Sequence, residues 1–267
     1  MIIFASFIDP ALDLDLLPAW IRHYKAFKFD RYHAAVHVKP LALHSEQFLR
    51  GYKMLRDEGF DTEEAEGPYR NGDLQNEAMT AFKATLEPDD TLVLADSDEF
   101  HKMADYREAI EEYDYIDGRL VDRWDDTLHP ALTGEDAPTL DVQYPRSGDL
   151  YAHLRELYGL ADENWIWDRQ ATKVLAHRVR YGVDLHGNHF ILPGPRPARP
   201  LQGITVDHFT WREGVIRRIM SRSYNPEWWT VTLMKHFGYT QESAEYAEFR
   251  ETHARKQAEK GLVPLYV

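Results

Sequence analysis

The sequence predicts an α/β fold, a mostly parallel sheet flanked by helices, with a helical C-terminal tail. Three observations predict it. Apolar strand-like runs (MIIFASFI, YHAAVHV, TLVLAD) alternate with amphipathic segments at helical spacing. Breakers such as Asp9-Pro10, Gly59 and PDD at 88–90 punctuate the alternation. From Glu213 onward the chain reads as helix, with Gly238 and Gly261 as its breaks.

The elements follow in order. Residues 1–8 form a short buried strand that Asp9-Pro10 ends. Over 14–28, Leu16, Leu17, Trp20, Ile21, Tyr24 and Phe27 recur at helical spacing, with Pro18 near the start, where its missing N–H costs nothing. YHAAVHV at 32–38 is the second strand, 44–58 the next helix, and Gly59 its stop. DLQNEAMTAFKATL at 73–86 is a helix with an acidic start, and TLVLAD follows as a strand. Residues 116–150 mix Gly, Pro and Asp with short apolar runs, which predicts strands and a loop. Residues 151–160 read as helix, 173–192 as two strands around a Gly-centred turn, 193–200 as a Pro-rich loop and 204–209 as one more strand. This organisation gives a main domain over 1–212 and a helical extension over 213–267.

The composition excludes several classes. The chain has 267 residues, 43% of them hydrophobic, enough for one large globular α/β domain. A net charge of −14 speaks against a nucleic-acid binder, because phosphate binding rests on Lys and Arg. With no cysteine there is no disulfide framework, thiolate metal site or cysteine nucleophile. No apolar run approaches the roughly 20 residues of a membrane span. The N-terminus lacks a basic leader region. The expectation is a cytoplasmic protein without a membrane span.

The chemistry is expected at the carboxyl ends of the parallel strands, where ligands of open α/β sheets sit. There LVLA runs into Asp96-Ser97-Asp98-Glu99. Carboxylates this close repel unless a cation lies among them, and Asp-X-Asp suits magnesium or manganese. The alternative reading makes Asp98 and Glu99 the acidic first turn of a following helix. His208, in VDHFTWR, ends a later strand and can complete a metal shell. Arg212, Arg217, Arg218 and Arg222 after it suit phosphate oxygens. Asn164-Trp165-Ile166-Trp167-Asp168 pairs aromatic faces with a carboxylate, as sugar binding needs, and Asp122, Asp125 and Asp126 compete for the same base role. Arg70-Asn71-Gly72-Asp73 with Gln75 and Asn76 stands at a helix start suited to an anion or a ribose. His186-Gly187-Asn188-His189 reads as a turn rather than a zinc site, since no third ligand follows.

Taken in order, these pieces resemble the GT-A glycosyltransferases, in particular the family 2-like group with a D-x-D-E-F signature. The matching segments are MIIFASFIDP, LLPAWIRHYKAFKFDRYHAAVHV, RNGDLQNEAM, LVLADSDEF, GRLVDRWDD, TKVLAHR, GNHF and VDHFTWREGVIRR, over about residues 1–222. Where many such proteins carry Glu in the first loop, this chain has Asp13 and Asp15. The resemblance implies a GT-A (Rossmann-like) fold and a nucleoside-diphosphate sugar donor. It implies Mn2+ or Mg2+ held by Asp96, Asp98 and His208, with Phe7, Ile8 and Asp9 bordering the nucleoside. Arg70, Asn76, Asp96, Arg212 and Arg217 are the further donor contacts expected. An inverting transfer needs a base beside the acceptor hydroxyl, with Asp168 first and Asp122 second. Two other readings stand beside it: a metal-dependent phosphohydrolase or nucleotidyltransferase, and a non-catalytic carbohydrate-binding protein of the same fold.

Overall fold

The computed structural model describes residues 1–38, 45–67, 73–124, 146–148, 172–183, 192, 194 and 197–209. The chain divides into two compact units, 1–121 with 166–209, and 122–165 with 210–267. The expected helices at 151–160 and 213–267 lie outside the described residues.

The first unit starts as the strand–helix alternation predicts. β1 (Ile2–Ile8) is buried along its whole length. α1 (Leu17–Ala26) carries Pro18 in its first turn and buries Leu17, Trp20, Ile21 and Tyr24. β2 (Arg31–Val38) pairs parallel with β1, Phe4 opposite Tyr32. α2 (Glu46–Asp57) is capped by Ser45, whose Oγ accepts the Phe48 N–H at 3.2 Å. β3 (Asp61–Glu66) adds to β2, α3 (Asp73–Lys83) returns, and β4 (Thr91–Leu94) pairs parallel with β1. The strand ends of β1, β2 and β4 therefore open on one side.

The later strands turn the sheet from parallel to mixed. β5 (Glu99–His101), α4 (Tyr106–Glu112), β6 (Tyr115–Trp124), β7 (Arg146–Gly148), β8 (Thr172–Arg178) and β9 (Pro200–His208) follow. The order across the sheet is β3-β2-β1-β4-β8-β6-β9-β5. β8 runs antiparallel to β4 and β6, and β9 antiparallel to β5. Glu99 therefore opens a strand, and the helix-start reading of Asp98 and Glu99 gives way. The helix begins later, at α4, where Asp105 accepts the Arg107 N–H at 2.7 Å. Gly118 of β6 lets β9 approach closely, since a Cβ there would lie 2.7 Å from the Ile204 carbonyl oxygen. In the second unit, the end of β6 pairs antiparallel with β7, Asp122 opposite Gly148.

The core lies on both faces of the parallel half. On the α1 face, Phe4 stacks against Tyr24 at 4.3 Å between ring centroids and against Phe29 at 5.5 Å, with Trp20 at 5.3 Å. On the α3 face, Ile3, Ala5, Phe7, Ala35, Met79, Phe82, Leu92 and Leu94 pack together. Each large apolar side chain so buried contributes roughly 1.5–3 kcal/mol. Among the described residues, no helix is long and apolar enough to cross a membrane.

Candidate functional site

The chain leaves β4 at Leu94 and crosses Ala95–Asp98 before β5. Three side chains from the first thirty residues hold the carbonyls of this turn. Ser6 Oγ donates to the Ala95 carbonyl at 2.7 Å, Trp20 Nε1 to the Asp96 carbonyl at 3.0 Å, and the Tyr24 hydroxyl to the Glu99 carbonyl at 3.0 Å. The polar tips of the α1 apolar stripe thus aim at the acidic segment while their rings fill the core. Within the turn, the Asp96 N–H donates to Glu99 Oε2 at 3.1 Å and the Glu99 N–H to the Asp96 carbonyl at 3.1 Å. Ser97 points away from its neighbours and donates to Asp13 Oδ2 at 2.6 Å.

The cation among the carboxylates is Lys173, the second residue of β8. Its Nζ lies 2.8 Å from Asp96 Oδ2 and 2.8 Å from Glu99 Oε1, and its side chain is 4% exposed. Burial pushes the ammonium down and the two carboxylates push it up further, so it is held above the ordinary lysine range. Burial raises the Glu99 carboxyl, and Lys173 pulls it back. The other Asp96 oxygen accepts from Gln75 Nε2 at 3.2 Å. Sequence reasoning missed Lys173. The available signal was a lysine heading an otherwise apolar strand, KVLA, since lysine is almost never fully buried without a partner.

Asp98 meets His208. The β5–β9 register sets Glu99 opposite His208, and the Phe209 N–H donates to the Asp98 carbonyl at 2.8 Å. His208 Nε2 then lies 3.9 Å from Asp98 Oδ2, the His side chain 21% exposed. The preceding Asp207 faces the other way and pairs with Lys102 at 2.7 Å. Two of the three expected metal ligands are thus adjacent, whereas Asp96 is engaged by Lys173 and Gln75. Among the described residues, no three His, Asp or Glu side chains converge as a metal centre.

The remaining predicted residues divide by place. Phe7 and Ile8 are core side chains. Asp9 follows them at the strand end, its Oδ1 accepting the Ala11 and Leu12 N–H groups at 3.2 Å each, its Oδ2 3.7 Å from His37 Nδ1. On α3 the inward position is Gln75, and Asn76, one residue on, is exposed. Asp122 is buried on the β6 segment of the second unit. Arg70, Asn71, Asp125, Asp126, Asp168, His186, His189, Arg212, Arg217, Arg218 and Arg222 lie outside the described residues.

No family model and no curated protein matches the chain. Among solved structures, the chain is similar to a crystal structure of S. aureus TarS, at 9% identity over 93% of this chain and 45% of that one, with a TM-score of 0.35. A second TarS structure, residues 1–349 in complex with UDP, gives 10% identity over 96% and 70%, with a TM-score of 0.32. An inositol-1-phosphate CTP transferase from T. maritima gives 11% identity over 90% and 96%, with a TM-score of 0.30. The chain thus spans less than half the length of the first of these.

Proposed function

We propose that the protein is a metal-dependent glycosyltransferase that moves a sugar from a nucleoside-diphosphate sugar to a hydroxyl acceptor, with inversion at the anomeric carbon. The observation that carries this reading is the meeting of Asp98 and His208, 3.9 Å apart, beside the carboxyl ends of the parallel strands. The Asp98 carboxylate is the donor that suits Mn2+ or Mg2+, and His208 is assigned as the further ligand beside it. Held there by Asp98 and His208, such an ion would supply positive charge to a departing diphosphate.

The chain's own residues do the rest. Asp96, fixed by Lys173 and Gln75, is oriented to accept a ribose hydroxyl. Arg70, Asn76, Arg212 and Arg217 are assigned to the diphosphate and ribose, and Asp168, or else Asp122, to the acceptor proton. The phosphohydrolase reading needs Glu99 as ligand to a second ion, and Glu99 is committed to Lys173. Among compartments the cytoplasm is assigned, in keeping with a chain that has no cysteine.

The test is a thermal-shift screen of nucleoside-diphosphate sugars with and without Mn2+. One donor should stabilise the wild type only with Mn2+, and Asp98→Asn should lose that shift while its circular dichroism is unchanged. A donor shift that survives in Asp98→Asn overturns the reading. Asp168→Asn should keep the shift and lose transfer.

A further inference from the structure

The amino ends of β2 and β3 frame a cavity of about 390 Å3 against the last turn of α3, with Arg31, His33, Asp61, Glu63, Ala81 and Phe82 in its lining. That volume falls within the roughly 300–1,000 Å3 of small-molecule sites. The strand pleat sends Arg31 and His33 of β2 and Asp61 and Glu63 of β3 to this one face. The His33 ring lies flat on Phe82, with 3.6 Å between centroids and 2° between planes. Its side chain is 4% exposed, and its Nε2 is buried with no hydrogen-bond partner. Glu63 Oε2 stands 3.9 Å from that nitrogen, too far for a hydrogen bond.

Burial first, and Arg31 second, lower the His33 pKa to about 4, so the ring is neutral at neutral pH. A neutral ring with its proton on Nδ1 presents a lone pair at Nε2. Lone pair and carboxylate then face each other as two acceptors. An ammonium nitrogen about 2.8–3.0 Å from each fits their 3.9 Å separation and satisfies both. Arg31 does not oppose such a cation, because Asp61 balances it at 2.8 Å and leaves Glu63 as the uncompensated charge. A bare metal ion fits less well: among the described residues no three His, Asp or Glu side chains converge as its ligands. Ala81 and Phe82 instead offer an apolar wall to a carbon chain.

We infer that this cavity binds a small primary amine, its ammonium between His33 Nε2 and Glu63 and its carbon chain along Ala81 and Phe82. The Glu63 side chain is 54% exposed and turns outward to admit the ammonium. The site lies at the strand ends opposite Asp98 and His208, and it needs neither a metal nor a nucleotide.

The test titrates the full chain, carrying isotope-labelled histidine, with butylamine by nuclear magnetic resonance. The His33 ring resonance should shift saturably. It should stay in place with butanol, which lacks the charge, and with tetramethylammonium, which lacks the N–H donors. Glu63→Gln should weaken butylamine roughly tenfold, the loss of about one charge-assisted hydrogen bond. His33→Phe keeps a ring on Phe82 and removes the acceptor, so calorimetry should find binding lost. Asp98→Asn should bind butylamine as tightly as wild type. No saturable His33 shift, an equal shift with butanol or tetramethylammonium, an unchanged affinity in Glu63→Gln, or loss of binding in Asp98→Asn overturns the proposal. Because Glu63 is exposed, its variant decides the matter even where His33→Phe fails to fold.

Discussion

The two ends of the parallel strands carry ion pairs of similar length and opposite consequence. At the amino ends, Arg31 meets Asp61 at 2.8 Å, with side chains 40% and 61% exposed. At the carboxyl ends, Lys173 meets Asp96 and Glu99 at the same 2.8 Å, with Lys173 and Glu99 almost wholly buried. Distance does not separate the two ends; solvent does. Water screens the first pair, which contributes about 0–1 kcal/mol. At the second, Lys173 and Glu99 have lost their hydration and depend on each other, so removing one strands the other.

The largest expected effect tests that dependence directly. Lys173→Ala should lower the unfolding free energy by about 3–5 kcal/mol, and adding Glu99→Gln to it should restore most of the loss, as read by urea titration. A loss under about 1 kcal/mol would make the buried end as dispensable as the exposed one. Burial without pairing gives the next effect. His177 is fully buried, and its pKa is lowered to about 3, by burial first and Lys83 second. Unfolded, the same ring titrates near 6.5, at about 1.4 kcal/mol per pH unit of difference. Between those values the unfolded chain takes up a proton that the folded chain refuses. This contribution is therefore full above pH 6.5 and is lost as the pH falls toward 3. His177→Gln should flatten the urea midpoint against pH between 6.5 and 4.

A smaller effect belongs to the neutral support of the acidic turn. Tyr24→Phe removes the hydroxyl that donates to the Glu99 carbonyl and should cost about 1–3 kcal/mol by leaving that oxygen unsatisfied. The smallest is Arg31→Ala, expected within about 0.5 kcal/mol and further reduced by salt. An Arg31 loss as large as the Tyr24 one would erase the contrast between the ends.

What was legible in the sequence follows the same division. β1, β2 and β4 are short, almost wholly buried runs and α1, α2 and α3 bury one stripe each, so their pattern is local. β3 reads DTEEAE, with only Ala65 buried, and exists because β2 offers it a ladder to pair with. β5 has three residues, too few for a period, and owes its place to β9. The Asp96, Asp98 and His208 placements were legible because strand ends announce themselves by a change from apolar to polar. Lys173 was not, because its partner lies 77 residues away and no local rule marks a lysine as inward. Trp20 and Tyr24 were read as apolar stripe, which is half their role.

That 77-residue separation has a consequence for the order in which the molecule is made. β1, β2, β3 and β4 can pair once residue 94 has emerged, and the acidic residues 96–99 follow directly. Until residue 173 arrives, Asp96 and Glu99 lack the ammonium that the finished fold sets between them. Docking of β8 relieves the repulsion, so the strand that extends the sheet is also the one that discharges it, and assembly acquires a direction from chain order alone.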